Sequence, residues 1–262
     1  MHRSLPDPNM ANGPWALFLD IDGTLLELAS RPDGVVVPDG LIALLNKLHV
    51  RFGGACALVS GRNLSFIDAT LHWEPRDAAG CHGAELRVNG TVVATPSNPQ
   101  RLRLVTDRLI SAAANVPGVL VEIKGASIAL HYGSTSLTAK RALYLAYEAA
   151  DIAIDALRVV PVRGAVEILP KEAGKGRAIA DLLTYSRYRD LIPVFAGDDV
   201  MDEEGFREVN SRGGISIRVG ERKSTAAKFH ASSVEELRGW LMELSTSHGT
   251  RDPRGLKKRR GE

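Results

Sequence analysis

The sequence predicts an α/β fold: a Rossmann-like, doubly wound parallel sheet core with an inserted α+β cap domain. Three observations carry this expectation. Short, nearly continuous apolar runs at 15–20, 55–59 and 192–196 read as strands covered on both faces. Helical periodicity fills the gaps between such runs, in the strand–helix–strand order that builds parallel sheets. From about residue 97 to 170 the texture changes to paired short strands accompanied by helices, as in an α+β unit.

Taken in order, Trp15–Asp20 is the first buried strand, and Gly40–Arg51 follows as a helix. It sets Leu41, Leu44, Leu45 and Leu48 on one face, with Pro38 just ahead of it. Ala55–Val59 is the next strand and Asn63–Leu71 the next helix. Asn89–Gly90, between Leu86, Val88, Val92 and Val93, marks a hairpin. In the middle region, 119–123 and 127–132 pair as strands, 157–162 and 165–169 form a second pair around Arg163–Gly164, and helices cover about 100–114 and 135–150. The parallel pattern then resumes with a helix at 175–183, a strand at 192–196, a helix at 201–209, a strand at 214–219 and a closing helix at 234–244. The expected division is a core of 1–96 and 171–248, a cap of 97–170 that sets substrate specificity, and a basic tail of 249–262. Turn-rich stretches at 95–99 and 170–174 would serve as hinges or as ordinary loops.

Composition narrows the function classes. A formal net charge of +2, with Lys257-Lys258-Arg259-Arg260 at the end of the chain, leaves a nearly neutral body and speaks against nucleic-acid binding. Nothing approaches a membrane span, and the N-terminal residues lack the apolar core of a secretory signal. Cys56 and Cys81 have neither a CxxC nor a Cys/His metal spacing and read as buried free thiols. A cytoplasmic location is expected.

Chemistry concentrates in four places. Asp20-Ile21-Asp22-Gly23-Thr24 follows a buried strand directly, where open α/β sheets gather their functional groups. Its two acids project the same way, and Gly23 lets the backbone turn out of the sheet. Gly197-Asp198-Asp199-Val200-Met201-Asp202-Glu203 follows another strand, and its hard carboxylate oxygens suit Mg²⁺. A helix N-terminus alone would explain Asp202 and Glu203, but Asp198 and Asp199 less well. Ser60-Gly61-Arg62 ends a third strand, where Ser60 either hydrogen-bonds a phosphate oxygen or simply caps a helix. Lys175 opens a helix and either neutralises phosphate or lies in solvent; the surrounding residues are not a P-loop.

In order and spacing these four resemble the motifs of the haloacid dehalogenase superfamily of phosphohydrolases. The resemblance implies strands converging on one Mg²⁺ site. It makes Asp20 the nucleophile and Asp22 the general acid and base, with Asp20, Asp22 (through its carbonyl) and Asp198 as metal ligands. Ser60, Gly61 and Lys175 would bind phosphate, with Asp199 and Asp202 supporting the metal ligands. Within that superfamily, residues 14–245 are most similar to the trehalose-6-phosphate phosphatases. LFLDIDGTL, VSGR, Cys81-His-Gly-Ala-Glu-Leu, Val121-Glu-Ile-Lys-Gly, Ala129-Leu-His-Tyr, Val166-Glu-Ile-Leu-Pro and GDDVMDE carry the likeness.

That likeness implies a small-molecule sugar phosphate as partner, with Glu122, Lys124 and Glu167 on its hydroxyls and Arg62 and His82 beside them. On spacing alone, Glu122 and Lys124 could instead form a surface ion pair. Glu167, inside an apolar strand, needs a partner, and Glu85 would line the same cleft. Where the family often has an arginine after His131-Tyr132, this chain has Gly133, which bears on the sugar rather than on the phosphatase chemistry. A different sugar phosphate, a phosphomutase and a receiver-type signalling module are the competing readings; Asp22 and the large insert argue against the last.

Overall fold

The computed structural model describes residues 3–7, 14–29, 34–94, 99–133, 135–221 and 224–246. Residues 95–98 of the first hinge and the basic tail lie outside the described residues.

The chain runs β1 (Arg3–Ser4), β2 (Trp15–Leu19), α1 (Leu41–Arg51), β3 (Cys56–Val59), α2 (Leu64–Leu71), β4 (Ala78–Gly80), β5 (Glu85–Val88) and β6 (Thr91–Ala94). There follow α3 (Pro99–Ala113), β7 (Val119–Ile123), β8 (Ile128–Tyr132), α4 (Ser136–Ala150), β9 (Leu157–Val162) and β10 (Ala165–Pro170). The last part is α5 (Lys175–Leu182), β11 (Ile192–Gly197), α6 (Asp202–Ser211), β12 (Ile215–Val219), β13 (Phe229–Ala231) and α7 (Val234–Thr246).

The larger sheet has nine strands in the order β1-β13-β12-β11-β2-β3-β4-β5-β6. Pairing is parallel from β1 to β4 and antiparallel in the β4–β5–β6 ribbon. Its central strand shows why the sequence runs apolar without alternation. Leu17 and Leu19 pack with the leucines of α1 and α7, while Ala16 and Phe18 pack with Ile179 and Leu182 of α5 and Phe206 of α6. Both faces of β2 are covered, so every position is apolar. At the β5–β6 turn, Asn89 and Gly90 both take left-handed angles, φ 52° and 77°, as a tight hairpin requires.

The second sheet is antiparallel, in the order β7-β8-β10-β9. Here period-two alternation holds. Val119, Val121, Ile128, Leu130, Val166 and Ile168 face a small core with α3 and α4, whereas Leu120, Glu122, His131, Ala165 and Glu167 line a cleft against the larger sheet. A sheet covered by helices on one face, with ionisable groups on the other, is the expected α+β cap. Cys56 and Cys81 are buried free thiols, and burial pushes each up to about 12. No helix among the described residues is long and apolar enough to cross a membrane.

Candidate active site

Three adjacent strands and the helix after one of them, α6, which begins at Asp202, deliver the site. β11, β2 and β3 are neighbours, so the residues after their carboxyl ends, Asp198, Asp20 and Ser60, emerge side by side. The Asp20 amide donates to the Ala196 carbonyl (3.0 Å), tying the Asp20 motif to β11, the strand that leads into Asp198 and Asp199. The chain crosses from β2 to β3 on one side and from β11 to β12 on the other, so the crossovers diverge between these two neighbours and open a crevice at their carboxyl ends.

Lys175 stands at the centre. It is 2% exposed, begins α5, and donates to Asp20 Oδ1 at 2.7 Å and to Asp202 Oδ1 at 2.6 Å. Asp202 Oδ2 accepts the backbone amides of Asp198 (2.8 Å) and Asp199 (2.7 Å), so one carboxylate fixes both the lysine and the acidic loop. Thr24 Oγ1 donates to the other Asp20 oxygen at 3.1 Å. Oxygens of Asp20, Asp198 and Asp202 lie within 4.8 Å of one another. Three buried carboxylates with one lysine among them leave negative charge uncompensated. Burial, reinforced by Asp202 and Asp198, pushes the Asp20 carboxyl well above its usual range against the pull of Lys175. Burial and then Asp202 push Asp198 up to about 7. Lys175 is held charged above its ordinary value, because Asp20 and Asp202 outweigh its own burial.

The cleft above this cluster has a volume of about 780 Å³, within the range of small-molecule sites. Asp22, half-buried on its floor, takes a bidentate pair from Arg62 Nε and Nη2, both at 2.9 Å. Arg62 also stacks on Phe66, 4.3 Å from the ring centre. On the roof, Lys124 donates to Glu167 at 2.6 Å and, more weakly, to the Gly61 carbonyl at 3.4 Å. His82 Nε2 lies 3.8 Å from the same Glu167 oxygen. Burial alone would raise Glu167, but His82 and the Lys124 ammonium hold it down at about 2. Glu122 pairs with His131 at 2.6 Å, and that hydrogen bond lowers its carboxyl against the effect of burial. His82 reaches the cleft because Cys81 and His82 both take left-handed angles, φ 48° and 56°. Gly61 lies directly beneath the ring: a Cβ there would sit 2.5 Å from His82 Cε1.

The comparisons with known proteins agree with this geometry. The trehalose-phosphatase family model matches residues 18–235. A "probable trehalose-phosphate phosphatase" of Sinorhizobium fredii is 40% identical over 240 residues, covering 88% of each chain. The trehalose-6-phosphate phosphatase of Escherichia coli is 34% identical over 248 residues, covering 94% of this chain and 92% of its own. The chain belongs to the trehalose-phosphatase family. In fold it is similar to the C-terminal domain of Candida albicans trehalose-6-phosphate phosphatase, with a TM-score of 0.79 at 20% identity over 94% of this chain and 99% of that one.

For a trehalose-phosphatase, the structure corrects three of the simpler sequence readings. Ser60 is no helix cap: Asn63 caps α2 by accepting from Phe66 N at 2.8 Å, while the buried Ser60 Oγ accepts from Arg62 N at 3.1 Å. Lys175 is not in solvent. Glu122 and Lys124 do not pair with each other, because Lys124 follows the end of β7 and turns inward to Glu167, leaving Glu122 to His131 across the strand pair. Among the acids read as supporting the metal ligands, Asp202 is fully buried in the cluster, and Asp199 lies half-buried at the cleft wall. Glu85 accepts the Leu64 amide at 2.8 Å, holding the start of α2. The sequence reading missed Arg163, whose guanidinium lies 3.3 Å from Asp198 Oδ2. It also missed His131 as the partner of Glu122 and Asp22 as the partner of Arg62; Arg62 and Asp22 lie in separate motifs whose strands had no known order in the sheet.

Gly23 supplies a sharp test of the acidic site. It takes φ +78°, and a Cβ at this position would lie 2.3 Å from Asp198 Oδ2. Gly23→Ala should therefore displace the Asp198 carboxylate and raise the Mg²⁺ concentration giving half-maximal thermal stabilisation about 10-fold or more. A Mg²⁺ titration by differential scanning fluorimetry checks this, and an unchanged midpoint would remove Asp198 from the cation site.

Proposed function

We propose that this chain hydrolyses trehalose 6-phosphate to trehalose and inorganic phosphate, using Mg²⁺ and a phosphoryl-enzyme on Asp20. The observation that carries it is the meeting of Asp20, Lys175, Asp198 and Asp202 at neighbouring strand ends, beneath a cap sheet whose cleft face carries Glu122, His131 and Glu167. Residues 97–170 act as that cap. Family membership supports the substrate.

The cluster fits a hard divalent ion. All its donors are carboxylate oxygens, charge is in surplus, and glycine at 23 leaves room for Asp198. The side chains of Asp20 and Asp198, with the Asp22 carbonyl, would hold the ion. Bound there, Mg²⁺ offsets the repulsion between a carboxylate nucleophile and a phosphate dianion.

The protein's own groups do the rest. An Asp20 oxygen attacks phosphorus while the bond from phosphorus to the sugar oxygen breaks. Asp22 gives a proton to the departing oxygen, then takes one from the water that opens the acyl phosphate. To do so it must be released from at least one of its two bonds to Arg62. Lys175 and Ser60 hold phosphoryl oxygens, and Lys175 is kept in place by Asp202, which does not react. Glu122, Lys124 and Glu167 present charged hydrogen-bonding groups to the sugar hydroxyls, with His82 and Arg62 at the margin.

A screen of phosphate release from trehalose, sucrose, mannose and glucose phosphates with Mg²⁺ tests the assignment. Trehalose 6-phosphate is expected to give the highest kcat/KM without any bisphosphate primer; turnover that required such a primer would indicate a mutase. Within the same assay, Glu167→Ala removes a charged sugar contact and should lower kcat/KM for trehalose 6-phosphate about 10- to 100-fold. Hydrolysis of a small aryl phosphate should change little. Equal losses on both substrates would place Glu167 outside the sugar site.

A further inference from the structure

Among the described residues, Arg163 is the cap residue whose charge reaches the acidic cluster, and nothing in the chemistry above uses it. It occupies the β9–β10 turn beside Gly164, and its side chain is 54% exposed while that of Asp198 is 6% exposed. The other cleft cations are committed elsewhere: Lys175 to Asp20 and Asp202, Arg62 to Asp22, and Lys124 to Glu167. The edge beside the turn is open: a Cβ on Gly164 would meet nothing within 4 Å. Tyr132 N donates to the Gly164 carbonyl at 3.2 Å, so Gly133, just past the end of β8, lies beside the turn, and a Cβ there would also meet nothing within 4 Å. An exposed guanidinium on an open edge thus sits against the carboxylate that the proposed function gives to a divalent ion.

Two cations cannot share one carboxylate face cheaply, since their mutual repulsion acts over the same few ångströms as the attraction. A guanidinium displaced from Asp198 would still face the reacting phosphate, for which its planar donors are well matched. Resting on the phosphatase reading above, we propose that Arg163 is a mobile counter-charge: it holds the cap to Asp198 when no divalent ion is bound and turns to the phosphate dianion when one is.

The test uses the full-length chain with Mg²⁺ alone, at low ionic strength where exposed charges are least screened. Thermal shift gives the half-saturating Mg²⁺ concentration for wild type, Arg163→Gln and Arg163→Lys. Arg163→Gln should bind Mg²⁺ about two- to fivefold more tightly, because its competitor is gone, with Arg163→Lys close to wild type. Inorganic phosphate titrated at saturating Mg²⁺ should bind Arg163→Gln about threefold or more weakly. Equal Mg²⁺ midpoints in wild type and Arg163→Gln would overturn the competition, and unchanged phosphate affinity would overturn the transfer to phosphate. A wild type that shows no Mg²⁺ response would instead defeat the underlying cation-site assignment, and the proposal with it.

Discussion

Asp20→Asn is expected to reduce phosphate release by roughly 10³-fold or more, because an amide oxygen is a poor nucleophile toward phosphorus. The substitution keeps the size and shape of the side chain, and it removes one of three buried carboxylates that lie within 4.8 Å of one another. The fold should therefore survive, and the metal-free protein should melt no lower than wild type. Lost activity would then report lost chemistry. Acid-quenched mass spectrometry adds a second readout: wild type under turnover should carry a phosphoryl group on the peptide containing Asp20, and the variant should carry none. Substantial turnover by a folded Asp20→Asn would remove the nucleophile from the mechanism.

Asp198→Asn should act in two directions at once. Activity should fall by about two orders of magnitude through loss of a charge that the proposed function gives to Mg²⁺. Metal-free stability should rise at alkaline pH. The sign follows from the direction of the shift: burial and Asp202 raise the folded-state carboxyl from 3.8 to about 7. Its contribution to stability is present below pH 3.8 and is lost as pH rises through about 7. An asparagine cannot ionise and escapes that loss. Between pH 5.5 and 8.5, metal-free wild type should lose several degrees of Tm relative to the variant, roughly the effect of one to two kcal/mol in a domain of this size. Mg²⁺ should restore wild type at pH 8.5 and leave Asp198→Asn unchanged. Parallel Tm–pH curves for the two proteins would contradict the buried-acid account.

The parallel sheet was legible because its central strands are covered on both faces, and that leaves an unbroken apolar run such as Trp15–Leu19. Two of the shortest strands were not. β4 has three residues, Ala78–Gly80, and β13 has three, Phe229–Ala231, too few for any period to show. Their place in the sheet comes from long-range pairing. Three of the four motifs were legible for a different reason: each sits where an apolar run stops, and strand ends are where groups from separate segments meet, whereas Lys175, at the start of a helix, was legible only beside the other three. Asp202 was harder to read because the acids it stands among also suit a helix N-terminus; only the fold shows it turned back onto Lys175 and the loop amides. Arg163 left no readable signal. It is one residue of an ordinary-looking hairpin turn, and its partner Asp198 lies 35 positions away beyond the cap. Glu122 and Lys124 show the opposite failure, since a two-residue spacing on one strand suggested a pair, yet Glu122 is drawn to His131 on the adjoining strand and Lys124 to Glu167 two strands away.

The account stands on one divalent ion shared by Asp20 and Asp198. Anomalous diffraction from crystals soaked with Mn²⁺ locates that ion directly. A single peak within coordination distance of a carboxylate oxygen of each residue is the predicted result. A peak that touches only one of them, or none in the cleft at all, would contradict it.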